Sequence, residues 1–412
     1  MNIWLLQTGE PYPFQENVSL MRTALLAEEL HRRGHQVTWW GSTFYHQRKQ
    51  MLYSEDSNIR WKDNYFIKLL HGGSYQSNKS VKRYLYHKTI ASRFVQIARS
   101  QNKPNIILAS LPAHDLAFEA VRYAHEIDVP VVIDVRDLWP DFFVEHSPRL
   151  MRPMVRLVLT SDFHKAAEAL IGATGIVAIS ESYLKWALAY AKRDKTEKER
   201  IFYIGSQTIV VKKGANDRIV RTKKNYLIPP GSVILTFIGS FGETYDLFTL
   251  VATARKLYDQ GRRDIHFVLG GDGQYYQSIK ALAHGLPNVT LTGWLNHEQI
   301  VSLLQASDVG LAPYRTNAPQ SLPNKTFQYA AAGIPVVSSL KGELADIIHR
   351  FRIGAVYTPG DSSSFLNAVT ALVGNREQRE EMGRNALNLF KDRFDAQMIY
   401  RKYADYLETM KG

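Results

Sequence analysis

Cysteine is missing altogether, so the chain carries no disulfide framework and no thiol chemistry, which permits a reducing compartment without requiring one. No uninterrupted apolar run approaches the roughly 18–20 residues of a membrane-spanning helix. The opening MNIWLLQTGE has a short apolar stretch with no basic residues before it, and reads as a strand, not a signal peptide. Gly9 stands outside any Gly-x-Gly-x-x-Gly fingerprint, so a dinucleotide site is not expected at the first loop. The sequence also lacks an Asp-x-Asp metal motif, internal repeats and low-complexity runs.

What is present describes an ordinary globular protein, with 45% apolar and 22% charged residues. At 412 residues the chain exceeds one core and suits two domains of about 200 residues each. The expected division is 1–205, 206–390 and a closing helical segment 391–412. The net charge of +12 is uneven. Between Arg48 and Lys103 twelve Lys/Arg face only Glu55, Asp56 and Asp63, with Trp61, Tyr65, Phe66, Tyr75, Tyr84 and Tyr86 interleaved. Such a surface suits an anionic membrane or a pyrophosphate-linked lipid. It would equally serve as a solvated face, or meet nucleic acid, although no recognition motif accompanies it. A second basic stretch, Ser147 to Thr160, sets Arg149, Arg152 and Arg156 among Met151, Met154, Val155 and Leu157. Its pattern fits a membrane interface or a plain surface helix.

Apolar runs alternate with helical patterns along the chain, which predicts an α/β protein with parallel sheets. Ile3–Leu6 and Gln36–Trp40 read as strands around a helix spanning Val18–Arg33, and the intervening loop holds Gly9 and Glu10. Asn105–Ser110 and Val131–Val135 are buried runs, each followed by titratable groups: His114 after the first, Arg136 and Asp137 after the second. Ligands of open α/β sheets bind at the carboxyl ends of strands, so these residues are placed for chemistry. An Arg136–Asp137 pair that only closes the loop, and a structural His114, are the bland readings of the same residues. Residues 206–231 read as a polar crossing. In the second half, Val233–Ile238 leads into Gly239-Ser240-Phe241-Gly242, glycines that let a backbone approach a phosphate. Ile265–Leu269 leads into Gly270-Gly271-Asp272-Gly273, and Asp308–Ala312 into Pro313-Tyr314.

Residues 319–343, PQSLPNKTFQYAAAGIPVVSSLKGE, carry the densest signal. Asn324 is predicted as the N-cap of a helix beginning at Lys325, whose free N–H groups and positive dipole end make an anion site. Lys325 adds a full charge there, and Gln328 falls on the same helical face as Asn324 and Lys325. Gly333 ends the helix, Ile334–Val337 reads as a buried strand, and Glu343 opens a second helix. A ligand with phosphate at the helix end and hydroxyls one turn further on, such as a sugar nucleotide, would meet all three side chains.

Pro323 to Val336, with Arg136-Asp137-Leu138-Trp139-Pro140 and the Leu30–Val37 phrase, resembles the retaining glycosyltransferase family 4, of GT-B fold. The likeness is strongest to the bacterial branch that builds O-antigen, lipopolysaccharide and capsule, and it covers nearly the whole chain. It implies two Rossmann-like doubly wound domains facing across a cleft, the first acceptor-binding and the second nucleotide-sugar-binding, with the last helix returning to the first. It implies transfer of a sugar from a nucleotide donor, of UDP-hexosamine type, to a lipid-linked oligosaccharide or polysaccharide acceptor. Retention by a front-face mechanism, without metal or cofactor, and a cytoplasmic, membrane-peripheral location come with it. By the same resemblance Lys325, Arg136, Asp137 and His114 are catalytic candidates. Gly239, Gly242, Asp272, Tyr314, Asn324, Lys325, Gln328 and Glu343 become donor residues, and Gly9, Glu10, Arg136 and Asp137 line the acceptor side. Two departures stand out. The family carries two acids eight residues apart where this chain has Gln320 and Gln328, and many members have histidine at Arg136. A sugar-nucleotide epimerase of the same fold and a non-catalytic sugar-nucleotide-binding protein therefore stay open beside transfer.

Overall fold

The computed structural model describes the chain except for residues 17, 19, 78, 79, 208, 210–214, 317, 319, 411 and 412, and the side chains of 215–218. Lys79 of the basic segment and Pro319 therefore lie outside the described residues. The chain divides into two compact units, one made of Met1–Ile204 with Met398–Gly412, the other of Gly205–Gln397.

The first unit is built on an eight-stranded sheet. Its strands are β1 (Asn2–Leu6), β2 (Gln36–Ser42), β5 (Ser57–Lys62), β6 (Tyr65–Leu70), β7 (Ile106–Leu111), β8 (Val131–Val135), β9 (Gly175–Ala178) and β10 (Glu199–Ile201), while β3 (Phe44–Tyr45) and β4 (Gln50–Met51) form a separate short hairpin. The order is β10-β9-β8-β7-β1-β2-β6-β5, parallel throughout except for β5 against β6. Strands covered on both faces are largely apolar along their length, as in β1 and β7, and in β8 apart from Asp134. Helices α1 (Arg22–Arg32), α2 (Val81–Ala98), α3 (His114–Glu126), α4 (Asp141–Glu145), α5 (Arg152–Val158) and α6 (Thr160–Gly172) connect or cover them. The pattern beginning at Val18 becomes helical only at Arg22. The tail of the closing helix, Ala396–Thr409, is tied to this unit: Arg33 pairs with Asp405 at 2.6 Å, His35 bonds Glu408 at 2.7 Å, and Phe202 stacks on Tyr403 at 4.3 Å.

The second unit holds a six-stranded parallel sheet of β11 (Val233–Ile238), β12 (Ile265–Gly270), β13 (Val289–Gly293), β14 (Val309–Ala312), β15 (Val336–Ser338) and β16 (Gly354–Val356). Its order, β13-β12-β11-β14-β15-β16, is that of a Rossmann sheet, with the reversal of strand order between β11 and β14. The core is aromatic near this point, where Phe237 and Phe241 are fully buried. Part of the expected polar crossing, 206–231, is a helix, Ala215–Asn225. Polar composition hides its packing: among the described side chains Thr222 and the following Ile228 are buried, and Tyr226 packs against the apolar cluster that includes Ile228.

Candidate functional site

In an open parallel sheet the loops at the reversal of strand order diverge and leave a crevice. In the second unit the loop after β11 and the turn after β14 meet there through a bridge between Tyr245 and Tyr314, whose rings lie 4.9 Å apart. Under them sits the Asn324–Ala331 helix, and the Nζ of Lys325 points into the rings. It lies 3.7 Å from the ring centre of Tyr245, 4.2 Å from Phe237 and 5.4 Å from Tyr314. Lys325 is 6% exposed, and among the described residues its Nζ finds no hydrogen-bond partner. Aromatic faces attract a cation but do not replace its hydration. Burial therefore pushes the Lys325 amine well below the ordinary lysine pKa. Thr326, next along the helix, is also buried with its Oγ1 unpartnered.

The helix start differs by one residue from the expected one. Pro323, extended at φ −79° and ψ 150°, is the N-cap, no side chain caps the helix, and Asn324 is its first residue and exposed. Proline satisfies the extended geometry of the cap position but offers no side-chain acceptor, so among the described residues no cap side chain reaches the first-turn N–H groups. Lys325, expected to add a full charge at the mouth of the helix, has its amine enclosed by rings. Gln328 is half-buried one turn on, so the three side chains do not share one environment. Gln320, at the other amide position, is half-buried with its Oε1 unpartnered.

The glycine loops pack on this centre. A Cβ at Gly239 would lie 3.1 Å from the Lys325 Nζ and 3.0 Å from Phe237, so a side chain there would crowd the amine. Gly271, at φ +140°, faces the Gly239 carbonyl so closely that a Cβ would fall 1.8 Å from its oxygen. The two loops are joined by Gly239 N–H to Gly270 O, 2.9 Å, and Phe241 N–H to Asp272 O, 2.9 Å. Gly242 is half-buried in the first loop, while Asp272 is exposed and accepts from the Gly273 N–H at 2.7 Å. Tyr314 is fully buried, so its ring serves the lysine. Glu343 accepts from the Ser321 hydroxyl at 2.8 Å, which ties the loop before Lys325 to the next helix.

In the first unit the residues after β1 and β8 form one buried ionic network. Arg136 donates to Asp134 at 2.8 Å, to Thr23 at 2.9 Å and to Glu10. Arg22 grips Asp134 with two bonds of 2.9 Å, and the other Glu10 oxygen accepts from the Thr23 N–H at 2.8 Å. Burial alone would raise the Asp134 carboxyl, but Arg22 and Arg136 hold it below the usual carboxylate range. Burial likewise works against the Arg136 charge, and Asp134 with Glu10 outweighs it. The bland reading of an Arg136–Asp137 pair that only closes the loop is not what is found: Arg136 turns inward to Asp134 and Glu10, because a carboxylate inside an apolar strand requires a cation. Asp137 instead accepts from the Leu138 N–H at 2.8 Å, and burial raises its pKa. Gly9 donates its N–H to Gln7 Oε1 at 2.8 Å.

His114 opens α3 and is buried, its Nε2 2.6 Å from Asp162 and 3.5 Å from Asp115, which Lys165 also bonds. Among the described residues its Nδ1 has no partner. His114, Asp115 and Asp162 bring one ligand atom each within 4.8 Å of the others, the one grouping among the described residues able to gather around a metal ion. Lys165 bonds the Oδ1 of Asp115 and the His114 Nε2 lies against Asp162, while among the described residues the Oδ2 of Asp115 has no hydrogen-bond partner.

Within the basic segment several cations are matched: Arg60 with Asp63, Lys62 with Glu28, Arg93 with Asp56 and Arg99 with Glu126. Among the described residues no helix is long and apolar enough to cross a membrane.

The strand order of the second sheet and the whole-chain comparison agree. The fold is GT-B. The chain superimposes on Anabaena HepE, solved in complex with UDP, with a TM-score of 0.70 at 15% identity, covering 99% of each chain. Residues 232–375 match the family model described as Glycosyl transferases group 1. That match falls on the GT-B unit containing Lys325. Sulfoquinovosyl transferase SQD2 of Arabidopsis thaliana is 24% identical over 290 residues, 69% of this chain and 52% of that protein. O-antigen chain mannosyltransferase C of Escherichia coli is 25% identical over 181 residues, 44% of this chain and 47% of that protein. The chain spans about half the length of these curated relatives.

Sequence reasoning singled out Lys325 and named Tyr314, but gave no sign that Phe237, Tyr245 and Tyr314 gather around the amine, since the three are scattered in sequence and carry no spacing signal. It also missed Arg22, Asp115 and Asp162. For Arg22 a cue existed: Asp134 interrupts the apolar run Val-Val-Ile-Asp-Val, and a buried carboxylate must find a cation elsewhere.

Proposed function

We propose that this chain is a retaining glycosyltransferase that moves a sugar from a nucleoside diphosphate donor, of UDP-hexosamine type, to a lipid-linked or oligosaccharide acceptor in surface-polysaccharide synthesis. The observation that carries the reading is the unpartnered Lys325 amine at the switch point of a Rossmann sheet, beside a helix start that no side chain caps. A diphosphate brought to that point supplies the charge and the acceptors that the ammonium and the helix N–H groups lack. During transfer the leaving diphosphate gains negative charge, and Lys325 with the helix end stabilises it. Gln328 and Glu343 face the ribose, and the loops at Gly239–Gly242 and Asp272 frame the phosphates and the base. Arg136, Asp137, Glu10 and His114 belong to the acceptor side, with Arg136 and Glu10 shaping the loop through their mutual bond.

Support comes from the match of residues 232–375 to a glycosyltransferase family model and from the UDP complex of Anabaena HepE. The names of the sulfoquinovosyl transferase and the O-antigen chain mannosyltransferase agree with sugar transfer. The reading includes contact with an anionic membrane from the inner side of a bacterial cytoplasmic membrane. Thermal-shift screening against nucleotides and nucleotide sugars tests it: UDP and one UDP-sugar are expected to raise the melting temperature. A panel without any stabilising nucleotide would contradict the donor assignment.

A further inference from the structure

Residues 141–158 form three short helical pieces, α4, the turn Arg149–Met151 and α5, and none of them buries a single residue. Exposed apolar side chains are concentrated there. Leu150 is 97% exposed, Leu157 75%, Val158 74%, Met154 55% and Met151 44%. Scattered surface leucines need no explanation, but five large apolar residues within the nine from Leu150 to Val158 are a patch that water solvates poorly. The pieces are also too short to hold together by helix propensity alone.

The charge pattern says what covers them. From Ser147 to Thr160 there is no acidic residue, and Arg149, Arg152 and Arg156 are spaced among the apolar ones. Arg149 and Arg156 are exposed, and Arg152 donates to the Glu145 carbonyl at 2.9 Å. The start of α2 carries a second exposed tract of the same character. Val81 is 73% and Leu85 55% exposed, beside exposed Lys82 and Lys88. Trp139 links the two: Arg83 of α2 rests on it at 4.4 Å, and Phe143 of α4, the helix that leads into the 148–158 segment, packs against it at 4.8 Å. We infer that this face, the 148–158 segment with the first turns of α2, is a docking surface for an anionic phospholipid bilayer.

Apolar tips immersed beside arginines whose guanidinium groups reach the phosphate level are the arrangement of a helix lying in the interface plane. The inference shifts the membrane contact from the basic segment as a whole, where several cations are already paired, to a smaller apolar and basic face. It rests on the proposed function only in placing the acceptor at a membrane, and lipid binding is measured without donor or acceptor.

The test is co-sedimentation of the full chain with phosphatidylcholine vesicles, with and without phosphatidylglycerol. The wild type is expected to bind only the anionic vesicles, and less as salt rises. Leu150→Ser with Leu157→Ser is expected to lower partitioning by about tenfold or more, and Arg149→Glu with Arg156→Glu to abolish the preference for anionic lipid. Both variants change exposed side chains, and unchanged UDP affinity reports an intact fold. Wild type that ignores anionic vesicles, or a serine variant that binds them undiminished, overturns the inference. So does a concentration-dependent dimer that the serine variant abolishes, for then a second copy covers this face. Vesicle binding without UDP binding would remove the proposed function and leave this inference standing.

Discussion

Replacing Lys325 by methionine keeps the volume inside the aromatic cage and removes the charge, which makes it the sharpest perturbation of the donor site. In the wild type the amine has no hydrogen-bond partner, a burial cost of about 1–3 kcal/mol. At a pH low enough for the buried amine to be charged, its contacts with Tyr245 and Phe237, at 3.7 and 4.2 Å, return about 1–2 kcal/mol. The two nearly cancel, so Lys325→Met is expected to leave the stability of the empty protein within about 1 kcal/mol of wild type. Nucleotide binding behaves differently. The variant loses a charge-assisted contact to the diphosphate, about 1.5–3 kcal/mol, which weakens UDP roughly 10- to 150-fold. The pH dependence follows from the lowered pKa of Lys325. Between that lowered value and the unfolded lysine value of about 10.4, the unfolded chain holds a proton that the folded one lacks, so stability rises with pH across this window. UDP favours the ammonium, so binding in the same window takes up a proton and weakens as pH rises. Isothermal titration in buffers of different ionisation enthalpy reads the proton directly: uptake in the wild type, none in Lys325→Met. Equal UDP affinity in the two proteins, with the fold intact, refutes the reasoning.

Other outcomes follow from particular residues. An amide at Gln328 both donates and accepts toward ribose, so Gln328→Glu is expected to keep donor affinity within roughly tenfold. Gln328→Leu is expected to lose affinity by desolvating ribose hydroxyls without a partner, and kinetics showing Leu as good as Gln would remove residue 328 from the site. Asp134→Asn leaves Arg22 and Arg136 facing a neutral group in the core and is expected to cost about 3–5 kcal/mol in urea unfolding; an unchanged midpoint contradicts the network. Turnover is expected to survive EDTA, and loss restored by magnesium or manganese would require a metal in the reaction.

The alternation of apolar runs with helical patterns revealed both parallel sheets, because strands buried on two faces have little freedom in composition. Val131–Val135 and Val233–Ile238 could hardly be anything else. The chemistry was legible where it sits in one continuous stretch, as around Lys325. It was hidden where the fold gathers distant residues, as with Phe237, Tyr245 and Tyr314 around one amine, or Arg22 and Asp134 across 112 positions. The helix start was misjudged by one residue because cap preference favours asparagine, whereas here proline occupies the cap and leaves the first turn without a side-chain partner. Exposure, too, escaped the sequence. The apolar positions of 150–158 have the spacing of an ordinary surface helix, and only the fold reveals that their own unit leaves them uncovered.

The central claim is that the GT-B unit around Lys325 uses a nucleoside diphosphate sugar as donor and that the chain passes the sugar on. Release of UDP from a series of UDP-sugars, followed by mass spectrometry with and without a bacterial membrane extract as acceptor source, tests it most directly. The account predicts that one UDP-hexosamine-type donor gives UDP together with a glycosylated lipid-linked product in the presence of extract, and that Lys325→Met gives neither. Binding of UDP-sugars with no turnover under any of these conditions would contradict it and leave a protein that binds sugar nucleotides without transferring them.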